Sequence, residues 1–562
     1  MIEFVSANIA PIMFCLVMFF LLSGFPVAFS LAACGLFFGV IGIELGLLPS
    51  TLLQAIPLRI YGIMQNDTLL AIPFFTLMGL ILERSGMAED LLDTIGQVFG
   101  PIRGGLTFAV IFVGSLLAAT TGVVAASVIS MGLISLPIML RYGYNRSVAC
   151  GIITASGTLA QALPPSLVLI VMADQLGRSV GDMYKGAIIP AFMLIGLYTL
   201  FVIGLTIFRP KMVPALPPEA ITLREPDGTR GVRSLLIFAA IIIALSTVLG
   251  SNYGALRSAM SGEAVNAARD EAVIAAMMFG GLLALLLVAI NRRLKLGLLS
   301  HMAERVTFVL IPPLGLIFLV LGTIFLGIAT PTEGGAMGAA GALLMAAARK
   351  RLNLKMLTQA LEATTKLSVF VMFILIGSTI FSFTFNAVDG HIWVEHLFDK
   401  LPGGELGFLI FVNAIIFVLG FFLDFFEIAF ILVPMLAPVA EKLGIDLIWF
   451  GIIIAVNLQT SFLTPPFGFA LFYLRSVAPV SAYIDRLSGK RIPGIKTTEI
   501  YRGSIVFVAI QLVLLALLIR FPGLVTSGLD QKIEVDRDSI TIEAPAGDDG
   551  WGESSGGGGA WD

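Results

Sequence analysis

Charge is scarce in this chain. Only 13% of its 562 residues are charged and 57% are hydrophobic, whereas a soluble domain carries roughly 25% charged residues. Mean hydropathy is +0.98. An ordinary soluble domain is thereby excluded, and a net charge of −3 carries no nucleic-acid signal. Cysteine is limited to Cys15, Cys34 and Cys150, all in apolar stretches. Disulfides are not expected, and buried packing is the expected role. The three histidines, His301, His391 and His396, fall in predicted loops and match no metal spacing. No Walker phosphate loop and no nucleophile elbow is present, so neither ATP-derived energy nor enzyme activity is expected. Strands of alternating polarity are missing, which removes an outer-membrane barrel. The start, Met1-Ile2-Glu3-Phe4, lacks a basic n-region. No cleaved signal peptide is read there, and the first apolar run is kept as a helix.

What is present is one apolar segment after another, many near the ~20 residues that cross a bilayer. The expected spans are 9–22, 27–43, 68–83, 106–119, 124–140, 147–176 (broken), 184–208, 234–250, 272–291, 306–328, 333–348, 367–386, 406–422, 425–440, 447–474 (broken) and 503–520. Two connections, Ala119-Thr120-Thr121-Gly122 and Phe422-Leu423-Asp424-Phe425, read as turns inside the membrane. Each closes a re-entrant hairpin. With the N-terminus outside and each hairpin returning to its own side, most of the 34 lysines and arginines fall in cytoplasmic loops. The positive-inside rule expects that bias.

The chain repeats itself. Residues ~9–145 and ~306–446 share one order: two helices around a Pro turn (Gly24-Phe25-Pro26; Thr330-Pro331-Thr332), a short amphipathic piece (Leu52 to Ile56; Met356 to Leu361), a long helix, a hairpin and a broken helix. The copies start on opposite sides, so the repeat is inverted. The fold class is an all-α polytopic membrane protein with two re-entrant hairpins and two broken helices. Scaffold helices occupy 1–105 and 306–404. Hairpin and broken helix occupy 106–183 and 405–475. A linking helix spans 184–208, a two-helix insert with a polar loop (Asn252, Arg257, Glu263, Asp270) spans 209–305, and a terminal helix lies in 476–525. The acidic, Gly-rich tail of 526–562 is expected to be disordered.

Both broken helices carry a diproline: Ser156 to Ser166 around Pro164-Pro165, and Asn457 to Gly468 around Pro465-Pro466. Proline has no N–H and clashes with the carbonyl four residues back. Ala160 and Gln161 in one segment, Ser461 and Phe462 in the other, thus have freed carbonyls. In lipid such groups are tolerated only inside protein or along a watery cavity. Matching interruptions in two halves point to a carrier's binding site. Hydroxyls and amides crowd the same turns, and hard cations prefer oxygen ligands. One cation site is expected in each half. Thr120, Thr121, Gly122, Ser156, Gly157, Thr158 and Ala160 form the first set; Asp424, Asn457, Gln459, Thr460 and Thr464 form the second. Gln161, Pro164, Pro165, Ser461, Pro465 and Pro466 are the expected substrate contacts. The bland alternative is a kink healed by neighbouring helices.

Asp424 and Glu427 stand in a very apolar stretch, where a carboxylate costs roughly 2.5–3.5 kcal/mol at the bilayer centre. Ion ligand, hairpin anchor and proton carrier are open roles for Asp424; solvation near the outer surface is the alternative for both. Thr330-Pro331-Thr332-Glu333 reads as a capping box. Arg141 and Arg146 read as positive-inside anchors.

Thr120-Thr121-Gly122, Pro137 to Tyr144, Ser156 to Ser166, Thr330 to Glu333 and Leu463-Thr464-Pro465-Pro466 together resemble the large membrane subunit of tripartite ATP-independent periplasmic (TRAP) transporters. The resemblance covers 1–208 and 306–521. It implies a sodium-coupled elevator in the bacterial inner membrane, with sodium ions as coupling ions and no organic cofactor. It also implies two partners, a small four-helix membrane subunit and a periplasmic substrate-binding protein, and a small organic anion as substrate. The 209–305 insert resembles that of a large-permease subgroup. Threonines stand at the first hairpin where many relatives have serines. The rival readings are a binding-protein-independent sodium/dicarboxylate symporter and a membrane enzyme or channel.

Overall fold

The computed structural model describes residues 4, 6, 8–225, 230–261, 269–399, 402–485 and 488–529. The expected tail from residue 530, and Glu263 of the insert, lie outside the described residues. The first copy comprises α1 (Ile9–Leu22), α2 (Val27–Glu44), α3 (Ile56–Met64), α4 (Ala71–Arg84), α5 (Met87–Phe99), the hairpin arms α6 (Gly105–Thr121) and α7 (Val124–Arg141), and the broken helix α8 (Arg146–Thr158) and α9 (Leu167–Gln175). Helix α10 (Val180–Phe208) follows, then the insert with α11 (Val232–Ser251), α12 (Tyr253–Ser261) and α13 (Arg269–Leu294). The second copy comprises α14 (His301–Phe325), α15 (Pro331–Ala348), α16 (Leu354–Ala387), α17 (Gly390–Asp399), the arms α18 (Gly404–Leu419) and α19 (Phe425–Lys442), and the broken helix α20 (Leu447–Leu463) and α21 (Phe469–Val477). Helix α22 (Thr497–Arg520) ends the membrane part. Among the described residues eight helices are long and apolar enough to cross a membrane, or nine if the bent pair before Arg84 is one span.

The copies interlock reciprocally. Helix α2 packs along α16 as α15 packs along α4. Glycines make both contacts close: a Cβ at Gly377 would lie 2.4 Å from the Ala28 carbonyl oxygen, and one at Gly338 would lie 2.5 Å from Met78 Sδ. The second arm of each broken helix lies on the returning hairpin arm of the other copy, α9 on α19 and α21 on α7. The helix after each copy leans on the other copy's broken helix, α10 on α20 and α22 on α8. Such exchange is the contact pattern of a two-fold pseudo-axis. The insert packs on α14 through α11 and α13.

The capping box at Thr330 is present: Glu333 Oε2 accepts from the Thr330 N–H at 2.8 Å, and Thr330 Oγ1 accepts from the Glu333 N–H at 3.3 Å. Several expectations are corrected. Helices α5 and α17 lie in stretches read as loops, at the same place in each copy. They are short and amphipathic: α5 buries Leu91, Leu92 and Ile95 while Glu89 faces out. A search for long apolar runs passes over them. The amphipathic piece at Met356 is the start of the continuous 34-residue α16, whereas its counterpart before α4 is a separate segment bent by 49°. The insert's polar loop contains the helix α12. The histidines sit on helices α14 and α17. Cys15 is exposed, unlike the buried Cys34 and Cys150, and all three are free thiols.

Arg141 and Arg146, expected as positive-inside anchors, also make ion pairs. Arg141 donates through Nε and Nη2 to both carboxylate oxygens of Asp485, each at 2.9 Å. Arg146 pairs with Glu499 at 3.1 Å and donates to the Gly494 carbonyl. The segment between α21 and α22, with its two-residue antiparallel ladder of Tyr483–Ile484 and Arg491–Ile492, is thereby strapped to the hairpin exit. The Arg141 guanidinium, aided by the Ser488 hydroxyl, holds the Asp485 carboxyl well below the usual carboxylate range. The pair's stabilisation is therefore complete above about pH 4, the unfolded carboxyl's value, and fades only as pH falls through the depressed folded value. Asp485→Asn is expected to speed protease cleavage in this strap equally at about pH 6 and pH 8. A difference that develops only between those two values would contradict the assignment.

Candidate functional site

Both helices break where the diprolines stand. Helix α8 runs into a single 3₁₀ turn (Leu159–Gln161) and stops before Pro164; α20 stops at Leu463. The chain re-enters helix at Leu167 and at Phe469. Everything from Val148 to Ala173 is buried, as is Leu447 to Leu463. The first break therefore sits inside protein, where freed backbone groups are tolerated, whereas the second opens outward: Thr464 and Pro465 are half-buried, and Pro466 and Phe467 are exposed.

At the first break the carbonyls of Ala160 and Gln161 share one hydroxyl proton: Ser166 Oγ lies 2.8 and 3.1 Å from them. Each carbonyl oxygen keeps a second lone pair. The hairpin tip is brought alongside. A Cβ at Gly122, whose φ is +60°, would lie 3.3 Å from the Leu167 nitrogen, so a side chain there meets the re-entering arm. Thr120 Oγ1 donates to the Leu117 carbonyl, and Thr121 and Ser127 share a 2.7 Å hydroxyl contact. Gly114 lies against Ser156, and Gly157 against the backbone of Val128. Ser156 Oγ and Gln161 Oε1 are buried without a hydrogen-bond partner.

At the second break the side chains reach the incoming hairpin arm. Asn457 Nδ2 donates to the Asn413 carbonyl at 2.7 Å and Ser461 Oγ to the Phe417 carbonyl at 3.1 Å. Thr460 and Thr464 donate back to the Val456 and Thr460 carbonyls. Asp424 begins α19. Its Oδ1 accepts from the Phe425 N–H at 2.7 Å, and Glu427 Oε2 accepts from the Asp424 N–H at 2.8 Å. That is a capping box, and it supplies the hairpin-anchor role. Glu427 is buried at 8% exposure, so solvation near the surface does not describe it. The Asp-x-x-Glu spacing carried this signal.

The halves meet at Thr158 and Gln459. Gln459 Nε2 donates to Thr158 Oγ1 at 3.3 Å across 301 residues, the same separation as Pro164 and Pro465. Equivalent positions therefore touch, which places the pseudo-axis between them. The polar column continues: the Tyr198 hydroxyl of α10 lies beside Gln459 and accepts from Gln511 Nε2 of α22 at 2.7 Å. Gln459 Oε1 has no partner. Tyr198, Gln511 and Asn413 were not among the expected site residues; each is a lone polar group in an apolar helix, the available signal. Apart from the Asp424 carboxylate, hydroxyl, amide and carbonyl oxygens make up the donor sets, and such all-oxygen sets fit a hard cation better than a transition metal. Among the described residues no group of three or more His, Cys, Asp or Glu is placed to hold a metal.

The family model described as "Tripartite ATP-independent periplasmic transporter, DctM component" matches residues 14–524. The chain belongs to this DctM family. It is a large permease subunit of a TRAP transporter, a multi-pass membrane protein and not an enzyme. It is 28% identical, over 77% of its length and 83% of the relative's, to the C4-dicarboxylate TRAP transporter large permease protein DctM of Pseudomonas aeruginosa. It is 24% identical to the isethionate TRAP transporter permease protein DctMQ of Oleidesulfovibrio alaskensis, over 86% of this chain and 62% of that one. It is also 24% identical to the sialic acid TRAP transporter large permease protein SiaM of Vibrio cholerae, over 82% of this chain and 88% of that one. Among solved structures it is similar to the Alcanivorax borkumensis YdaH transporter at 16% identity and a TM-score of 0.46, over 85% of this chain and 90% of that chain.

Proposed function

We propose that this DctM-family chain is the large subunit of a sodium-coupled importer of small organic acids in the bacterial inner membrane, with both termini on the periplasmic face. It works with a small four-helix membrane subunit and a periplasmic binding protein that delivers the solute. The observation that carries this reading is the matched pair of oxygen-rich helix breaks, the first buried and the second reaching the surface at Pro466. Relatives named for C4-dicarboxylates, isethionate and sialic acid support an organic anion as the cargo.

A bound sodium ion would supply positive charge and ordering at each break. The chain's own residues do the rest. Thr120 to Gly122 and the turn before Asp424 close the two hairpins over the breaks. The first turns of α9 and α21 present unpaired N–H groups and positive dipole ends, which favour an anion between the tips. The Thr158–Gln459 contact ties the two breaks together. In an elevator, hairpins and broken helices slide as one block against α2, α4, α15 and α16. Gly79 of α4 lies on that seam: a Cβ there would stand 2.4 Å from Thr121 Cα.

Uptake by proteoliposomes tests the reading. Radiolabelled C4-dicarboxylates, isethionate and sialic acid are offered to vesicles holding this chain, the small subunit and the cognate binding protein. Uptake of one of them is expected only with an inward sodium gradient and all three proteins present. Full uptake without the binding protein would favour the self-sufficient symporter, and substrate-independent current would favour a channel.

A further inference from the structure

One cavity, of about 230 Å³, opens between the helices read as scaffold and those read as the moving block. Arg59 of α3 and Ser378, Thr379, Ser382 and Asn386 of α16 line one side; Gln175 of α9, with Phe430 and Pro434 of α19, lines the other. A water's share of liquid volume is about 30 Å³, so a small carboxylic acid fits with a few waters. Under the topology read from the basic loops, this cavity is on the outer half of the membrane.

Among the described residues that line it, the only formal charge is the guanidinium of Arg59. Among the described residues no carboxylate pairs with Arg59, whereas Arg141, Arg146, Arg349 and Arg351 are all paired. The group is oriented all the same, with its carbon 4.4 Å from the centre of the Phe383 ring. Asp174, the residue before the lining Gln175, holds two amide donors. It accepts from Asn66 Nδ2 at 2.7 Å and from Gln175 Nε2 at 2.8 Å. Ser378 Oγ donates to the Phe430 carbonyl, which leaves Thr379 and Ser382 as the other hydroxyl residues lining the cavity with Arg59. A planar guanidinium fork with nearby hydroxyls is a carboxylate-binding set. Arg59 is exposed at the edge of this cavity and has no counter-ion among the described residues, so an anion arriving from outside can reach the guanidinium and pair with it.

We propose that this cavity is a first docking station for the carboxylate of the transported solute, anchored by Arg59, on its way from the outer face to the central breaks. The inference rests on the organic-acid reading for the identity of the anion. Because both sides of the seam line the cavity, sliding of the block reshapes it and releases the solute inward.

The test places a cysteine at Ser382 (Ser382→Cys) in the full chain carrying Cys15→Ser, with Thr379→Cys as the second position should the first fail to fold. The purified protein is labelled with the anionic sulfonatoethyl and the neutral hydroxyethyl methanethiosulfonate. After correction for free-thiol rates, the anionic reagent is expected to react at least about fivefold faster, from the Coulomb attraction of one nearby guanidinium. Arg59→Gln is expected to bring the ratio to about one. A ratio that does not depend on Arg59 overturns the proposal. In proteoliposomes Arg59→Gln is expected to raise KM for the transported acid about fivefold and to leave kcat within about twofold; an unchanged KM overturns it. Loss of the anionic preference on adding phosphatidylglycerol, but not on adding the transported acid, assigns Arg59 to a lipid phosphate and also overturns it. Failure of wild-type vesicles to take up any organic acid would sink the transport reading and leave the reagent ratio to stand as local electrostatics.

Discussion

Gly503→Leu is expected to abolish recovery of folded protein. A Cβ at Gly503 would stand 2.0 Å from the Ser147 carbonyl oxygen, and one at Gly151 would stand 2.3 Å from the Gly503 carbonyl oxygen. Here α22 and α8 touch backbone to backbone. Neither neighbour is a flexible side-chain end that can turn aside. Overpacking by methylenes alone typically costs 1–3 kcal/mol, and a backbone clash forces apart one of the closest helix pairs in the chain. Total stability is only about 5–15 kcal/mol. Gly196 is the control: it lies on α10 with nothing within 4 Å of its would-be Cβ. By fluorescence-detected gel filtration, Gly503→Leu should give less than about a tenth of the wild-type monodisperse peak while Gly196→Leu keeps most of it. Equal peaks would show that the α8–α22 contact does not hold the fold.

The second large effect is on coupling. Asn457→Ala combined with Thr464→Ala is expected to raise the sodium concentration for half-maximal uptake at least about tenfold, which is a loss of about 1.4 kcal/mol. Asn457 lies against the Asn413 carbonyl and Thr464 against the Thr460 carbonyl at the break. Removing both strips a hydroxyl and an amide oxygen from one proposed cation set. Ser23→Ala serves as the control, because that exposed hydroxyl donates to the Phe19 carbonyl, away from either break. A purely structural role would lower the amount of active protein and leave the sodium dependence where it was. That outcome would remove Asn457 and Thr464 from the ion-binding account.

Much of this architecture is written in residues whose physics is local. Pro164-Pro165 and Pro465-Pro466 lack N–H groups, so helix breaks at or just before Pro164 and Pro465 follow wherever the helices pack. Thr330 and Glu333 sit at capping-box spacing, and the box forms. Asp424 and Glu427 share that spacing, yet an acid in an apolar run draws the eye to chemistry before geometry. What was not legible depends on partners remote in sequence. Nothing near Gln459 tells that it meets Thr158, because their adjacency is a property of the pseudo-axis. Nothing near Arg141 tells that it meets Asp485 across 344 residues. Helices α5 and α17 escaped for another reason: their apolar stripes are too short and too interrupted by acids and histidines to register as spans.

The central claim is that the two helix breaks bind sodium, and a ligand that binds only the folded state stabilises it by RT ln(1 + [L]/Kd), about 2.7 kcal/mol at a hundredfold excess over Kd. Thermal unfolding of the purified chain in sodium chloride and in choline chloride at equal ionic strength measures that directly. The account predicts a Tm several degrees higher in sodium, with the shift reduced in Asn457→Ala/Thr464→Ala; equal Tm in the two salts, or a sodium shift untouched by the paired substitution, would contradict it.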